Sequence, residues 1–330
     1  MLRNFAIALC ALLISPAGWA VCDPAGQPPT PLYIPAKIIR IAADAPIDSA
    51  LPIAEYDSTI AGGDIWYKAC PKGTLYGKRV NGLDSLDAGN KIFKTNIPGI
   101  GVKPLYTNGT GRWGSFPSDS YVIFEPDEPL GDFYISGASM YRLQFFKMGE
   151  LRLSDATAGD IVMNPGMIVY NFMMNPTPAS FSVNLNIGEI KIISTPACTV
   201  DGAKRIDFNR VTPTLLSAGV ARPLDFSINC VTDYGGYAAK AAITTMTPSA
   251  DASYIQAEDA DGNRDRLAIY ITDGANRPMK VNGTTYEQKS SINSRSPAGF
   301  NWLATLKPGS TPSPGGGTFT AKAEIIFDIQ

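Results

Sequence analysis

Apolar and polar positions alternate most regularly at the end of the chain, where residues 318–330 read TFTAKAEIIFDIQ. Phe319, Ala321, Ala323, Ile325, Phe327 and Ile329 are apolar, and the positions between them are polar except Ile326. A period of two marks a strand with one face turned to a core. The stretch ahead of it, Ser313-Pro314-Gly315-Gly316-Gly317, reads as loop. Two readings are open: a terminal core strand of a sandwich, or a strand beside which a second chain lays one of its own. Upstream, short runs rich in Val, Ile, Tyr and Phe predict strands over 37–41, 64–67, 91–95, 121–124, 132–136, 141–146, 166–172 and 180–187. Beyond Ser194-Thr195-Pro196 the same signals fall at 205–208, 223–230, 238–245, 267–272, 279–281 and 300–306, with Asn282-Gly283 as a two-residue hairpin signal. No amphipathic helix of three turns is visible. The fold class is all-β, of the sandwich or jelly-roll kind.

The N-terminus adds a compartment. Arg3 precedes the apolar run 5–14, which is too short to span a bilayer, and Pro16 breaks it. Gly18 and Ala20 then stand at −3 and −1 for cleavage after Ala20. Residues 1–20 therefore read as a secretory signal peptide, removed together with Cys10. No later run is apolar enough to span a membrane, so an exported, soluble chain is expected. Charged residues are 18% of the sequence and the formal net charge is −2, which fits neither a nucleic-acid binder nor a disordered chain. There is no histidine, which removes His-based triads, imidazole bases and His metal sites together. No catalytic residues, cofactor or metal are expected.

Four cysteines remain, Cys22, Cys70, Cys198 and Cys230, and four allow three connectivities. Their clustering in an oxidising compartment predicts Cys22–Cys70 and Cys198–Cys230. One staple in each half implies one domain in each half: 21–193 and 194–330.

The second half resembles the pilin domain of chaperone–usher fimbriae. The resemblance rests on Pro196-Ala197-Cys198-Thr199-Val200, on Phe226-Ser227-Ile228-Asn229-Cys230, and on the alternating end that follows Gly317. Ile329 replaces the family's usual penultimate tyrosine. The first half resembles the receptor-binding domain of two-domain fimbrial tip adhesins, most nearly of the type 3 kind. The carrying segments are residues 92–102 (IFKTNIPGIGV) and 141–147 (YRLQFFK). Lys103 stands where that family tends to have arginine, keeping the charge without the bidentate fork. The resemblance implies two β-sandwiches, a jelly-roll-like receptor-binding domain and an incomplete immunoglobulin-like pilin domain. The second lacks a strand, and Phe319, Ala321, Ala323, Ile325 and Phe327 would line the groove left open. A periplasmic chaperone would fill that groove first, and the next fimbrial subunit's donor strand would replace it at the outer-membrane usher. The mature chain would begin Val21-Cys22 with no donor extension of its own, which places it at the end of a fimbrium, on the cell surface.

The first domain is then expected to bind a host glycan or a matrix protein. Candidate contacts are Asp48, Lys103, Arg112, Trp113, Asp119 and Tyr121, with Trp66 and Tyr67 also considered; Trp66 is expected to pack in the core. Arg112 and Trp113 follow Asn108-Gly109-Thr110-Gly111 and are expected in a loop. The alternatives are a minor structural or assembly-initiating subunit without strong ligand binding, and a secreted carbohydrate-active enzyme. Asn108-Gly109-Thr110 and Asn282-Gly283-Thr284 match a glycosylation sequon but read as turns. Asp259-Ala260-Asp261-Gly262-Asn263 looks like a calcium loop without the downstream bidentate Glu. Met163, Met167, Met173 and Met174 read as core filler.

Overall fold

A computed structural model describes residues 22–124, 129–311 and 314–330. The predicted signal peptide lies outside the described residues. In chain order the strands are β1 (Thr30–Ile34), β2 (Lys37–Ala42), β3 (Ala54–Asp57), β4 (Ile65–Pro71), β5 (Leu75–Val80), β6 (Ser85–Asp87), β7 (Ile92–Lys94) and β8 (Ile100–Thr107). Next come β9 (Gly114–Ser115), β10 (Ser118–Tyr121), β11 (Leu130–Ile135), β12 (Met140–Lys147), β13 (Asp160–Met163), β14 (Gly166–Met173), β15 (Phe181–Ile187), β16 (Ile190–Thr195) and β17 (Ala197–Val200). After the six-residue helix α1 (Pro213–Ala218) follow β18 (Val220–Val231), β19 (Gly236–Thr244), β20 (Ile255–Ala257), β21 (Leu267–Thr272), β22 (Pro278–Met279), β23 (Asn282–Asn293), β24 (Pro297–Pro308) and β25 (Glu324–Ile329). The chain is nearly all-β, as the pattern predicts. No helix of the described residues is long and apolar enough to cross a membrane.

The chain divides into two compact units. One holds the residues up to Ile39 with Ile47–Gly149 and Ile161–Lys191; the other holds Arg40–Pro46, Glu150–Asp160 and Ile192–Gln330. In the first unit a five-stranded sheet runs β1-β15-β14-β5-β10 and a second runs β3-β12-β8-β7-β6, with β9 paired to β8. A two-stranded ribbon joins β4 to β11, and Cys22 is bonded to Cys70 at the end of β4. Alternation is visible in β12, where Tyr141, Leu143 and Phe145 are buried while Arg142 and Gln144 are only half-buried. Tyr141 is fully enclosed; its hydroxyl donates to Asn171 Oδ1 and the Val183 carbonyl.

In the second unit one sheet runs β17-β18-β24-β21-β20, with β22 paired to β21, and the other runs β23-β19-β25. Strands β18, β19 and β24 keep a strict period of two, burying Leu224, Phe226 and Ile228, then Tyr237, Ala239, Ala241 and Ile243, then Phe300, Trp302 and Ala304. Phe226 stacks on Phe300 with centroids 5.1 Å apart and meets Trp302 edge-on at 4.9 Å. Cys198 and Cys230 are bonded and directly opposite in the β17–β18 register. Both predicted disulfides are present.

Four strand predictions need correction. Residues 205–208 are not in a strand, although Phe208 is buried and Ile206 packs on the core. Of 121–124 only Tyr121 belongs to a strand. Asn282-Gly283 makes no hairpin: β22 pairs with β21 and β23 with β19, so Lys280 and Val281 carry the chain from one sheet to the other and Asn282-Gly283 opens β23. Gly283 takes φ +79°, the turn-forming conformation that invited the hairpin reading. The predicted terminal strand is paired only from Glu324; residues 318–323 are extended, with Thr320 bridging Glu258.

An open groove beside the C-terminal strand

The half of the terminal segment that lacks a strand partner borders a cavity of the second unit. Thr320 exchanges two backbone hydrogen bonds with Glu258, both 2.9 Å, and the Lys322 carbonyl accepts from the Thr245 hydroxyl at 2.6 Å. From Glu324 the chain pairs with β19, Ile325 opposite Ile243 and Phe327 opposite Ala241. The opposite edge of β25 has no strand partner among the described residues. Phe319, Ile325, Phe327 and Ile329 are only half-buried, and Ala321 and Ala323 are exposed. The apolar face of this alternation is thus left partly uncovered.

The space it faces is a cleft of about 780 Å³. Its floor is the apolar core itself: Leu224, Phe226, Ile243, Ile255, Ile269 and Ile271. All five predicted groove residues, Phe319, Ala321, Ala323, Ile325 and Phe327, line it. Phe327 meets Phe226 and Phe300 at 5.9 and 6.0 Å, and Phe319 lies 6.1 Å from Phe208. Val200 at the end of β17 and the stretch 201–209 that follows it also line the groove, which sequence reasoning missed.

One end of the groove is clipped. Asp259, almost fully buried, accepts from the backbone N–H of Gly315 at 3.0 Å and from those of Asp261 and Asn263 at 3.0 and 2.9 Å. The bond from Gly315, first among these, holds its carboxyl below the usual range. Arg266 Nη1 stands 3.8 Å from Asp259 and 3.9 Å from Asp261. The residues that looked like a calcium loop therefore spend the Asp259 oxygens on backbone donors. Gly317 follows with φ +138°, and a Cβ there would lie 2.7 Å from that of Ala260.

The predicted receptor contacts fall in several places in the first unit. Lys103 of β8 is opposite Gln144, which is opposite and hydrogen-bonded to Glu55 of β3. One row along, Arg142 holds Asp57 bidentately at 2.6 and 2.8 Å and sits 4.4 Å from the Trp113 ring centroid. That hydrogen bond raises the Arg142 pKa further. Lys103 and Trp113 thus belong to one polar sheet face whose central residue, Arg142, was not predicted; its signal was a polar position between the buried Tyr141 and Leu143. Arg112 is exposed in the expected loop. Asp119 and Tyr121 belong to the other sheet, where Asp119 is paired with Arg79 through both oxygens. Asp48 accepts from Ala50 N–H at 2.6 Å, closing its own turn. Trp66, expected in the core, is 37% exposed, whereas Tyr67 is buried.

The model of the family described as Fimbrial protein matches residues 186–330. A search of curated proteins found no match. Among solved structures, the chain is similar to the receptor binding domain of the adhesin MrkD1P of Klebsiella pneumoniae, at 18% identity, covering 53% of this chain and 95% of that one with a TM-score of 0.39. It is similar to the CsuC–CsuE chaperone–tip adhesion subunit complex of Acinetobacter baumannii at 9% identity, covering 90% and 99%, TM-score 0.41. The CupB6 tip adhesin of Pseudomonas aeruginosa matches at 12% identity, covering 87% and 89%, TM-score 0.32. These scores carry nothing about a ligand. The open groove lies wholly within the residues that this family model matches.

Proposed function

We propose that the protein is a fimbrial tip adhesin: its fimbrial domain accepts a donor strand from the next subunit, and its first unit binds a receptor, a host glycan or a matrix protein. The observation that carries the reading is the groove, where an apolar alternation faces an open core instead of a strand. An incoming extended segment would pair with the free edge of β25 and seat alternate side chains on Leu224, Phe226 and Ile269. Until then the exposed edge and core are an aggregation hazard, which a periplasmic chaperone would cover before transfer at the outer-membrane usher. A subunit that also donated would need a free alternating stretch ahead of β17. Here that stretch is β16, with Ile190 and Ile192 buried and the Thr195 carbonyl accepting from Ala43 N–H at 2.9 Å. Accepting without donating fits the end of a polymer, on the cell surface.

The test uses the whole mature chain and a synthetic peptide copied from the neighbouring subunit's N-terminal extension. At a hundredfold excess over its dissociation constant the peptide should stabilise the fimbrial domain by about 2.7 kcal/mol. No rise in unfolding temperature at saturating peptide, with the fold intact, overturns the groove reading.

A further inference from the structure

The ribbon of β4 and β11 has two chemically different faces. On one, Ile65 and Tyr67 are buried and Phe133 packs on Tyr76 at 4.6 Å. On the other, Trp66 and Tyr134 are directly opposite in register, their rings 4.9 Å apart and 30° from parallel. They are 37% and 51% exposed. Beside them on the same face Lys68 forms an ion pair with Asp132, and the Lys68 ammonium lies 4.9 Å from the Trp66 centroid.

The platform is held from three directions. The Gln27 side chain accepts from Trp66 N–H at 2.8 Å, Asp23 bridges Lys68 through the backbone, and the Cys22–Cys70 bond ties the strand end. A rigid pair of outward aromatic rings loses little side-chain freedom on contact. Its electron-rich faces attract the C–H groups of a flat partner, and the adjacent ammonium and carboxylate offer donors and acceptors to hydroxyls. Those two charges cancel, so the site offers an anionic ligand no net attraction and suits a neutral, polyhydroxylated one.

We propose that Trp66, Tyr134, Lys68 and Asp132 form a binding site for a neutral hexopyranose, the sugar ring stacked on the outward ring face of the aromatic pair and its hydroxyls met by the Lys68–Asp132 pair. The inference rests on the reading of the first unit as a receptor binder and names where and what it binds.

The test titrates the oxidised, full mature chain with the methyl glycosides of glucose, galactose, mannose and N-acetylglucosamine, read by saturation-transfer NMR and tryptophan fluorescence. At least one should bind saturably, with transfer strongest to ring C–H protons. Trp66→Leu should weaken it at least tenfold, Asp132→Asn severalfold, and Tyr286→Leu in the fimbrial domain not at all. If Trp66→Leu fails to fold, Asp132→Asn decides. Binding by none of the four glycosides, or binding unchanged in whichever of the Trp66 and Asp132 variants fold, overturns the proposal and leaves the aromatic pair a support for the ribbon. A parallel arm with immobilised collagen separates the two readings: collagen binding without sugar binding sinks this site and keeps the receptor function.

Discussion

Glu287 offers the sharpest test of how the groove floor is held. Its side chain is buried in the second unit, where Oε2 accepts from Trp302 Nε1 at 2.6 Å and from Gly274 N–H at 3.4 Å, while Oε1 lies 2.7 Å from Lys289 Nζ. Trp302 in turn meets Phe226, a floor residue, edge-on. Glu287→Ala leaves the buried indole N–H unpaired, at about 1–3 kcal/mol. The vacated volume adds about 1 kcal/mol. Lys289 is 38% exposed and turns to water, so its loss adds little, and the total falls below the about 3–5 kcal/mol of a wholly buried pair. The expected cost is about 3 kcal/mol. Glu287→Gln keeps an oxygen for the indole and loses only charge assistance, about 1 kcal/mol. Trp302 is the sole tryptophan of the second unit, so in a Trp66→Phe/Trp113→Phe background its fluorescence reports urea unfolding of that unit alone. A cost below 1 kcal/mol for Glu287→Ala, or equal costs for the two variants, would refute the assignment.

Phe327→Ala should cost the empty chain about 1–2 kcal/mol and the strand-filled chain about 3–4, because only the filled groove buries the ring fully; peptide affinity should fall about thirtyfold, and equal costs in the two states would deny that the peptide covers Phe327. Gly317→Ala combines a backbone rare for other residues with the contact to Ala260 and should cost about 1–3 kcal/mol in thermal unfolding; a neutral result would mean the loop moves freely. Burial pushes the Lys78 amine, which sits 3.8 Å from the Tyr106 ring centroid, down to about 8. The unfolded lysine titrates near 10.4, so from about pH 8 to 10 the unfolded chain holds more protons and stability rises with pH, by about 2–3 kcal/mol. Below pH 8 the burial penalty is constant. Lys78→Met should remove that rise, and parallel pH profiles for the two proteins would contradict it.

The sequence pattern showed side-chain burial better than it showed pairing. In β18, β19 and β24 the two coincide, and the strands were visible. In residues 205–208 and 318–323 they separate: Phe208 and Phe319 turn toward the core, yet neither backbone has a strand beside it. Alternation reports which face is apolar and is silent on whether a neighbour exists. Both failures line the groove. Trp66 was misplaced for a different reason. Ile65, Trp66 and Tyr67 are all apolar, so parity could not tell which of them faces outward. Arg142 went unnoticed because its role depends on Asp57, eighty-five residues away in sequence.

The position of the Cys198–Cys230 bond bears on how the second unit would carry tension. Only Ala197 precedes Cys198 in β17, so a pull on the chain entering that strand cannot unzip it residue by residue. The bond hands the load to Cys230, inside the twelve-residue β18. That strand is registered with β24 from Val220 opposite Leu306 to Asn229 opposite Pro297. Rupture therefore has to break into the longest ladder of the domain, and the short edge strand acts as a tether and not as a fuse.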